Sequence, residues 1–206
     1  MPTPLGHALG AIAAGWLVGG RLWPGWHATV FVPRLRPVTD ALGQTRRAFD
    51  VNLTNRGMAA ALYAAVGLAP DLDLLVGAHS TYTHSVGAVG LVFLVAFAAS
   101  KRPRVAGAIA AAWASHLLLD WLGSDTSPPI GIMALWPFTR EHYQSSFYIF
   151  EAVSRRYWLP EQFVWWNAKA VLKEVLILGP LAGVSYWITY ANHRATKDTE
   201  NAQSSS

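Results

Sequence analysis

Apolar residues gather in five stretches of the chain, separated by polar or proline-rich connections. The stretches are rich in Ala, Leu, Val and Gly, and they cover residues 4–22, 57–75, 84–100, 104–122 and 172–191. Each is about 17–20 residues long, close to the length that an α-helix needs to cross a bilayer. The pattern predicts an all-α fold, a polytopic membrane bundle of about five hydrophobic helices. Buried helices of a compact soluble protein are the alternative, because polar residues intrude near one end of most stretches.

Two long connections interrupt the apolar pattern. Residues 22–56 contain prolines and several arginines and predict a basic loop. Residues 123–170 form an aromatic-rich helical or loop insertion that includes Trp136, Trp158, Trp165 and Trp166. Such a segment suits the headgroup layer or a cap over a site, and equally the core of a helical subdomain. We expect one membrane-embedded domain over residues 1–195 and a disordered polar tail over 196–206.

Composition favours the membrane and removes several classes of protein. Only 14% of the 206 residues are charged, against about 25% in a typical soluble domain, and 10 are tryptophan. The chain has no cysteine, which excludes disulfides, thiol nucleophiles and cysteine-type zinc or iron–sulfur sites. A net charge of +4 spread over the chain is weak for nucleic-acid binding, so no nucleic-acid partner is expected. The first apolar stretch follows no basic residue, so no cleavable signal peptide is expected.

Basic residues are distributed unequally between the two sides of an alternating bundle. One side receives eleven of the 16: Arg21, Arg34, Arg36, Arg46, Arg47, Arg56, Lys101, Arg102, Arg104, Arg194 and Lys197. The other side receives five: Arg140, Arg155, Arg156, Lys169 and Lys173. The positive-inside rule then places the C-terminus in the cytoplasm and the N-terminus outside, in a plasma or bacterial inner membrane. The connection 123–170 is extracytoplasmic in this topology.

Histidines and aspartates lie near the ends of the apolar stretches, where ionisable residues are costly and usually functional. They are His7, Asp71, Asp73, His79, His84, His116 and Asp120. They fall at the start of the first stretch, the end of the second, the start of the third and the end of the fourth. These four positions share one side of an up-and-down bundle. The pattern therefore predicts that four histidines and three aspartates converge at the extracytoplasmic end.

The spacing of these residues indicates a metal site. His116 and Asp120 are four apart, so both project from one face of a helix. Pro70 is expected to end or kink the second helix, so Asp71 and Asp73 can diverge. Imidazole and carboxylate are the ligands of hydrolytic zinc, manganese and iron sites. We predict one or two divalent ions, with zinc favoured over manganese, that activate a water molecule, and Asp71 or Asp73 as the catalytic base or a bridging ligand.

Other interpretations of the same residues stay open at this stage. The histidines and aspartates could form a structural network of ion pairs, or a proton or ion pathway, which would favour acidic residues at mid-helix. Glu141 and His142 are weaker candidates for ligands or substrate contacts. Asp125 is a weaker candidate for supporting a ligand.

The ordered motifs resemble those of the YdjM-like family of inner-membrane metal-dependent hydrolases. The resemblance spans residues 4–138. It rests on Gly6-His7, Pro70-Asp71-Leu72-Asp73, His79 with Thr83-His84-Ser85, Ser115-His116-Leu117-Leu118-Leu119-Asp120 and Leu135-Trp136-Pro137-Phe138. The set is also similar to a reduced form of the zinc-dependent phospholipase C and single-strand nuclease superfamily, which is all-α. That similarity implies ligands at His7, Asp71 or Asp73, His79 or His84, His116 and Asp120. A second His-x-x-x-Asp helix is missing after Asp120, so one or two ions are implied.

Three functions are carried forward from the sequence. The first is a membrane-bound, phospholipase-like metal-dependent hydrolase that cleaves a phosphoester, with membrane lipids as partners and a lipid or lipid-linked phosphate as substrate. The second is a membrane protein without enzymatic activity, whose cluster binds metal for structure, sensing or transport. The third is a regulatory protein that binds a cytosolic partner through the basic loop 22–56.

Overall fold

Five helices make up most of the described chain. The computed structural model describes residues 1–19, 38–39, 45–46, 55–76, 79–126, 128–154 and 156–204, so most of the basic loop lies outside the described residues. The helices are α1 (Pro4–Gly19), α2 (Asn55–Leu68), α3 (Val86–Ser100), α4 (Pro103–Trp121) and α5 (Pro160–Ser204). Two 3₁₀ helices cover Ala69–Val76 and Tyr82–His84, and β1 (Val38–Thr39) pairs with β2 (Thr45–Arg46) in a two-residue antiparallel ladder. The all-α prediction is confirmed apart from this ladder.

Local sequence signals set the helix ends nearest the predicted site. Helix α2 ends at Leu68 and gives way to a 3₁₀ helix because Pro70 disfavours an α conformation before it and lacks an N–H. Ser85 caps α3, since its side chain accepts a hydrogen bond from the Ala88 N–H at 3.1 Å. Lys101 ends α3 in the left-handed conformation, and Pro103 starts α4. The short connection between Ser100 and Pro103 makes α3 and α4 antiparallel neighbours.

Helix α5 differs from the prediction at both ends. It begins at Pro160, twelve residues before the predicted apolar stretch, so Trp165 and Trp166 are helical. The polar residues of its first turns, such as Glu161 and Asn167, interrupt the apolar pattern without interrupting the helix. The helix also continues to Ser204, where a disordered tail was predicted. Its C-terminal segment contains helix-compatible Ala, Lys, Glu and Gln and no Pro or Gly.

Helix α1 lies at the centre of the bundle and packs against α2, α4 and α5. Ala11, Ala59, Tyr63, Ala108 and Ala112 form its largest buried cluster. Small residues let the helix axes approach closely, as in membrane helix pairs. At Gly15 a Cβ atom would lie 2.4 Å from the ring of Tyr63. The aromatic ring therefore occupies the space that a side chain at this position would need.

Gly15→Ala is expected to lower the free energy of unfolding by about 1–3 kcal/mol, the usual cost of overpacking a well-packed interior. Denaturation in detergent, followed by circular dichroism, measures the change. Gly90→Ala is the matched control, because a Cβ at Gly90 meets nothing within 4 Å and alanine is the better helix former. Equal stability of the two variants would show that Tyr63 does not constrain this contact.

The outer surface of the bundle is apolar. None of the residues of α3 is buried, and Leu91, Leu94 and Val95 are more than 60% exposed. Trp187 of α5 is equally exposed. Among the described residues, Gly57–Leu75 and Pro160–Thr189 are long and apolar enough to cross a membrane, while α1 and α3 are apolar but shorter. Exposed apolar area on this scale is typical of a surface that contacts a membrane or another protein.

Candidate metal centre

The seven histidines and aspartates singled out in the sequence lie together at one end of the bundle. His7 is in the first turn of α1, and His116 and Asp120 are in the last turns of α4. The remaining four lie in or beside the two 3₁₀ helices: Asp71, Asp73, His79 and His84. In a 3₁₀ helix, residues two apart point about 120° away from each other, so Asp71 and Asp73 face different partners. His84 immediately precedes the Ser85 cap of α3 and is fully buried.

Four side chains direct one ligand atom each towards a common point. They belong to Asp71, His84, His116 and Asp120, and these atoms lie within 4.8 Å of one another. His116 Nε2 is 3.1 Å from His84 Nε2, 3.1 Å from Asp120 Oδ2 and 3.5 Å from Asp71 Oδ1. Two imidazoles and two carboxylates are a donor set that suits zinc. This group could hold a metal ion.

The protonation of His116 is fixed from outside the cluster. His116 Nδ1 lies 2.7 Å from the backbone carbonyl of Gly67. A carbonyl only accepts hydrogen bonds, so Nδ1 carries a proton and donates, and Nε2 is the ring nitrogen that faces the cluster. Gly67 also lets α1 pack closely at this point, because a Cβ there would clash with the Cβ of Ala11. An orienting acceptor of this kind usually accompanies a metal-binding histidine.

Asp73 and Thr83 orient His84 in the same way. His84 Nδ1 lies 3.1 Å from Asp73 Oδ2 and 3.0 Å from Thr83 Oγ1. The Thr83 hydroxyl donates to the same Asp73 oxygen at 2.9 Å. These contacts leave His84 Nε2 directed at His116 and Asp120. Asp73 therefore supports the imidazole from behind, whereas Asp71 belongs to the converging group.

The cluster holds buried acidic and polar atoms that a cation could satisfy. Burial opposes a positive charge on His84, but the carboxylates of Asp120, Asp71 and Asp73 outweigh it and raise the pKa of His84 to about 11. Both oxygens of Asp120 and Nδ1 of His7 are buried without a hydrogen-bond partner among the described residues. Imidazole nitrogens lie 3.1–3.4 Å from those oxygens, but without hydrogen-bond geometry. Since buried polar atoms are normally satisfied, the residues present fit a bound cation.

His7 and His79 flank the four converging side chains. His7 stacks on His116 with ring centroids 3.8 Å apart, and its Nε2 is 3.3 Å from Asp120 Oδ1. His79 is partly exposed, with Nδ1 3.1 Å from Asp73 Oδ1. Asp73, His79 and His84 form a second group of ligand atoms within 4.8 Å of one another. His84 is common to both groups.

The weaker candidates lie outside both groups of ligand atoms. Asp125 accepts a hydrogen bond from the Gly131 N–H at 3.2 Å, and Glu141 accepts one from the Tyr143 hydroxyl at 3.2 Å. His142 Nε2 is buried without a hydrogen-bond partner among the described residues. Neither His142 nor Glu141 is among the residues that line the cavity described below.

Asp73→Ala is expected to lower zinc affinity by about 10–100-fold while leaving a measurable site, because it removes the orienting partner of His84 rather than a converging ligand. Competition against a chromophoric chelator measures the affinity. Asp71→Ala should lower zinc affinity further, since Asp71 Oδ1 lies 3.5 Å from His116 Nε2 within the converging group. The assignment of the two aspartates is wrong if Asp73→Ala abolishes binding and Asp71→Ala does not.

A cavity of about 600 Å³ opens onto the cluster. Four cluster residues line it: His7, Asp71, His79 and Asp120. A further wall comes from the segment before α5 and from α5 itself, including Arg156 and Trp166. Asp73 is not among the lining residues, which agrees with its place behind His84. The aromatic residues near this wall are exposed rather than a subdomain core, with Trp158 and Trp165 more than 60% exposed.

Glu174 is the residue of this region that the sequence patterns missed. It is buried on α5, where its carboxylate accepts a hydrogen bond from the Thr3 N–H at 2.7 Å and contacts the Thr3 hydroxyl. Thr3 in turn accepts a hydrogen bond from the Gly6 N–H and from the His7 N–H. Glu174 thus anchors the turn that carries His7. A lone acidic residue within the apolar stretch 172–191 was the signal that could have found it.

The helical bundle and the cluster of histidines and aspartates together define a helical protein with a candidate metal centre at one end of its helices. No family model, curated protein or solved structure matches the chain.

Proposed function

We propose that the protein is a membrane-bound, zinc-dependent hydrolase that cleaves a phosphoester bond in a lipid or lipid-linked substrate. The observation that carries the proposal is the convergence of Asp71, His84, His116 and Asp120 beside a cavity. The ordered motifs that resemble the YdjM-like hydrolases support it. A divalent ion in this group would polarise the phosphoester and lower the pKa of a water molecule towards neutrality.

Some side chains of the cluster are placed to bind the ion, and another is placed for proton transfer. His84 and His116 are oriented through their Nδ1 atoms, so each directs Nε2 towards the group and would bind the ion there as a neutral imidazole. Asp71 is 29% exposed and lines the cavity, so it is the carboxylate that can meet a water molecule there. Asp73 is engaged by His79, His84 and Thr83 and does not reach the cavity. We therefore assign the role of ligand or base to Asp71 and a positioning role to Asp73.

The apolar outer surface supports a multi-pass membrane location. Two helices meet the length for a span, and the exposed faces of α1 and α3 extend the apolar surface. Lys101, Arg102 and Arg104 are exposed at the end of the bundle opposite the cluster. With these residues on the cytoplasmic side, the cluster is extracytoplasmic. Exposed Tyr157, Trp158 and Trp165 near the cavity suit the interfacial layer, where a lipid phosphate would lie.

Metal-dependent turnover of a lipid phosphodiester tests the proposed function. The protein is purified in neutral detergent, stripped with a chelator and assayed on phosphatidylglycerol with zinc or manganese added back. We expect turnover that chelation abolishes and zinc restores. His116→Ala, purified in parallel, controls for a contaminating hydrolase.

Zinc binding without turnover of phosphatidylglycerol or of a soluble aryl phosphodiester would overturn the hydrolase proposal. The cluster would then be a structural, sensing or transport site. Metal flux into liposomes would identify transport, and loss of folding on chelation would identify a structural site.

A further inference from the structure

We infer that Arg156 is the residue that recognises the anionic group of the ligand in the cavity, which therefore takes a phosphate ester rather than a neutral or cationic substrate. This inference rests on the proposed phosphoester chemistry and adds the selecting residue. Nothing in the metal cluster itself selects between these substrates, since a bound ion would polarise a carbonyl as well as a phosphoryl oxygen.

Arg156 lines the same cavity as Asp71 and Asp120. It has no ion-pair partner among the residues that the structure describes, in contrast to Lys173, whose Nζ lies 3.6 Å from Glu151 Oε1. An arginine carries its charge at every physiological pH and offers a planar fork of donors that matches phosphate oxygens. An arginine without an ion-pair partner among the described residues, in the same cavity as a metal-binding group, is thus placed to bind an oxyanion there.

The segment that carries Arg156 is fixed to α5. Ser154 N–H donates to Asn167 Oδ1 at 2.8 Å, and Asn167 Nδ2 donates back to the Ser154 carbonyl at 3.1 Å. The Arg156 N–H donates to Ser154 Oγ at 3.4 Å. Paired hydrogen bonds from one helical side chain hold the backbone two residues from Arg156. The guanidinium therefore projects from a supported segment, as a selecting residue requires.

Apolar residues line the cavity together with Arg156. Pro4, Leu74, Val153 and Trp166 line the cavity with it, and Leu74 and Trp166 are half exposed. A ligand held by its phosphate at Arg156 would place its adjoining group against these side chains. The shared chemistry is a phosphate ester, and either a lipid headgroup or a soluble phosphate ester could supply it.

Binding of inorganic phosphate to the zinc-loaded protein tests the inference by calorimetry. Arg156→Ala is expected to weaken binding about tenfold or more, because it removes a charge-assisted contact. Arg156→Lys should bind phosphate with an affinity between those of the parent and Arg156→Ala, since it keeps the positive charge and loses the planar fork of donors. Arg104→Ala is the matched control, an exposed arginine about 18 Å along α4 from His116, and should bind phosphate as the parent does.

Zinc content is measured on every variant, so that loss of the metal centre is separated from loss of anion recognition. Unchanged phosphate affinity in zinc-loaded Arg156→Ala overturns the inference and leaves the hydrolase proposal standing. Absence of zinc from the parent overturns the hydrolase proposal itself. A short-chain phosphatidylglycerol below its critical micelle concentration distinguishes the sources. If this lipid binds more tightly than inorganic phosphate and the gain is lost in Arg156→Ala, the ligand is a lipid. If the two bind with equal affinity, the ligand is a soluble ester.

Discussion

His116→Ala is expected to leave the purified protein with less than about a tenth of an equivalent of zinc, a loss larger than the 10–100-fold that an orienting partner costs. His116 Nε2 lies within 3.5 Å of ligand atoms from His84, Asp120 and Asp71, so it contacts all three of the other side chains in the group. Its removal deletes one of the two imidazole ligands of the group and leaves only His84 to pair with the two carboxylates. Elemental analysis after dialysis gives the stoichiometry, and circular dichroism verifies folding.

His142→Ala is the matched control, because it removes an imidazole that belongs to neither group of ligand atoms. It should retain the zinc content of the parent. Added imidazole should partly restore zinc to His116→Ala by filling the space of the deleted ring. A folded His116→Ala protein that binds zinc as tightly as the parent would contradict the site.

Asp120→Asn is expected to destabilise the metal-free protein by about 3–5 kcal/mol, the usual cost of removing one partner of a buried charge pair. Asp120 is 2% exposed, and imidazole nitrogens of His7, His84 and His116 lie 3.1–3.4 Å from its oxygens. Asparagine keeps the shape and removes the negative charge that offsets protonated imidazole. The same variant should also lose zinc, since the carboxylate supplies a ligand atom.

Reversible denaturation in detergent, with chelator present, separates this effect from metal binding. Glu161→Gln provides the same chemical change at an exposed position in the first turn of α5 and should leave stability within about 0.5 kcal/mol of the parent. A metal-free Asp120→Asn protein as stable as the parent would mean that the imidazoles are neutral and do not need the carboxylate.

Alternation of helices was enough to predict that His7, His84 and His116 meet at one end of the bundle. That inference needs only the positions of apolar stretches and the rule that successive helices run in opposite directions. The break at Pro70 was equally readable, because proline removes a backbone donor and restricts the residue before it. Side chains at helix ends are therefore placed by chain direction alone.

The different roles of Asp71 and Asp73 could not be predicted from the sequence. Both lie in one turn after Pro70, and only contacts with the Thr83-His84 segment, ten residues further on, separate them. Arg156 entered the sequence argument only as one charge among 16, since its place in the cavity depends on how Asn167 holds the preceding backbone. The early start of α5 was missed because polar residues in its first turns hide a helix from a search for apolar stretches.

The contact between Thr3 and Glu174 makes the order of synthesis matter for the metal centre. The two residues are separated by 171 positions, so α1 leaves the ribosome long before the carboxylate that anchors its first turn exists. Until α5 arrives, His7 belongs to a helix end whose N–H groups lack that partner. A chain truncated before α5 would keep Asp71, His84, His116 and Asp120 but lose the carboxylate that anchors the turn carrying His7.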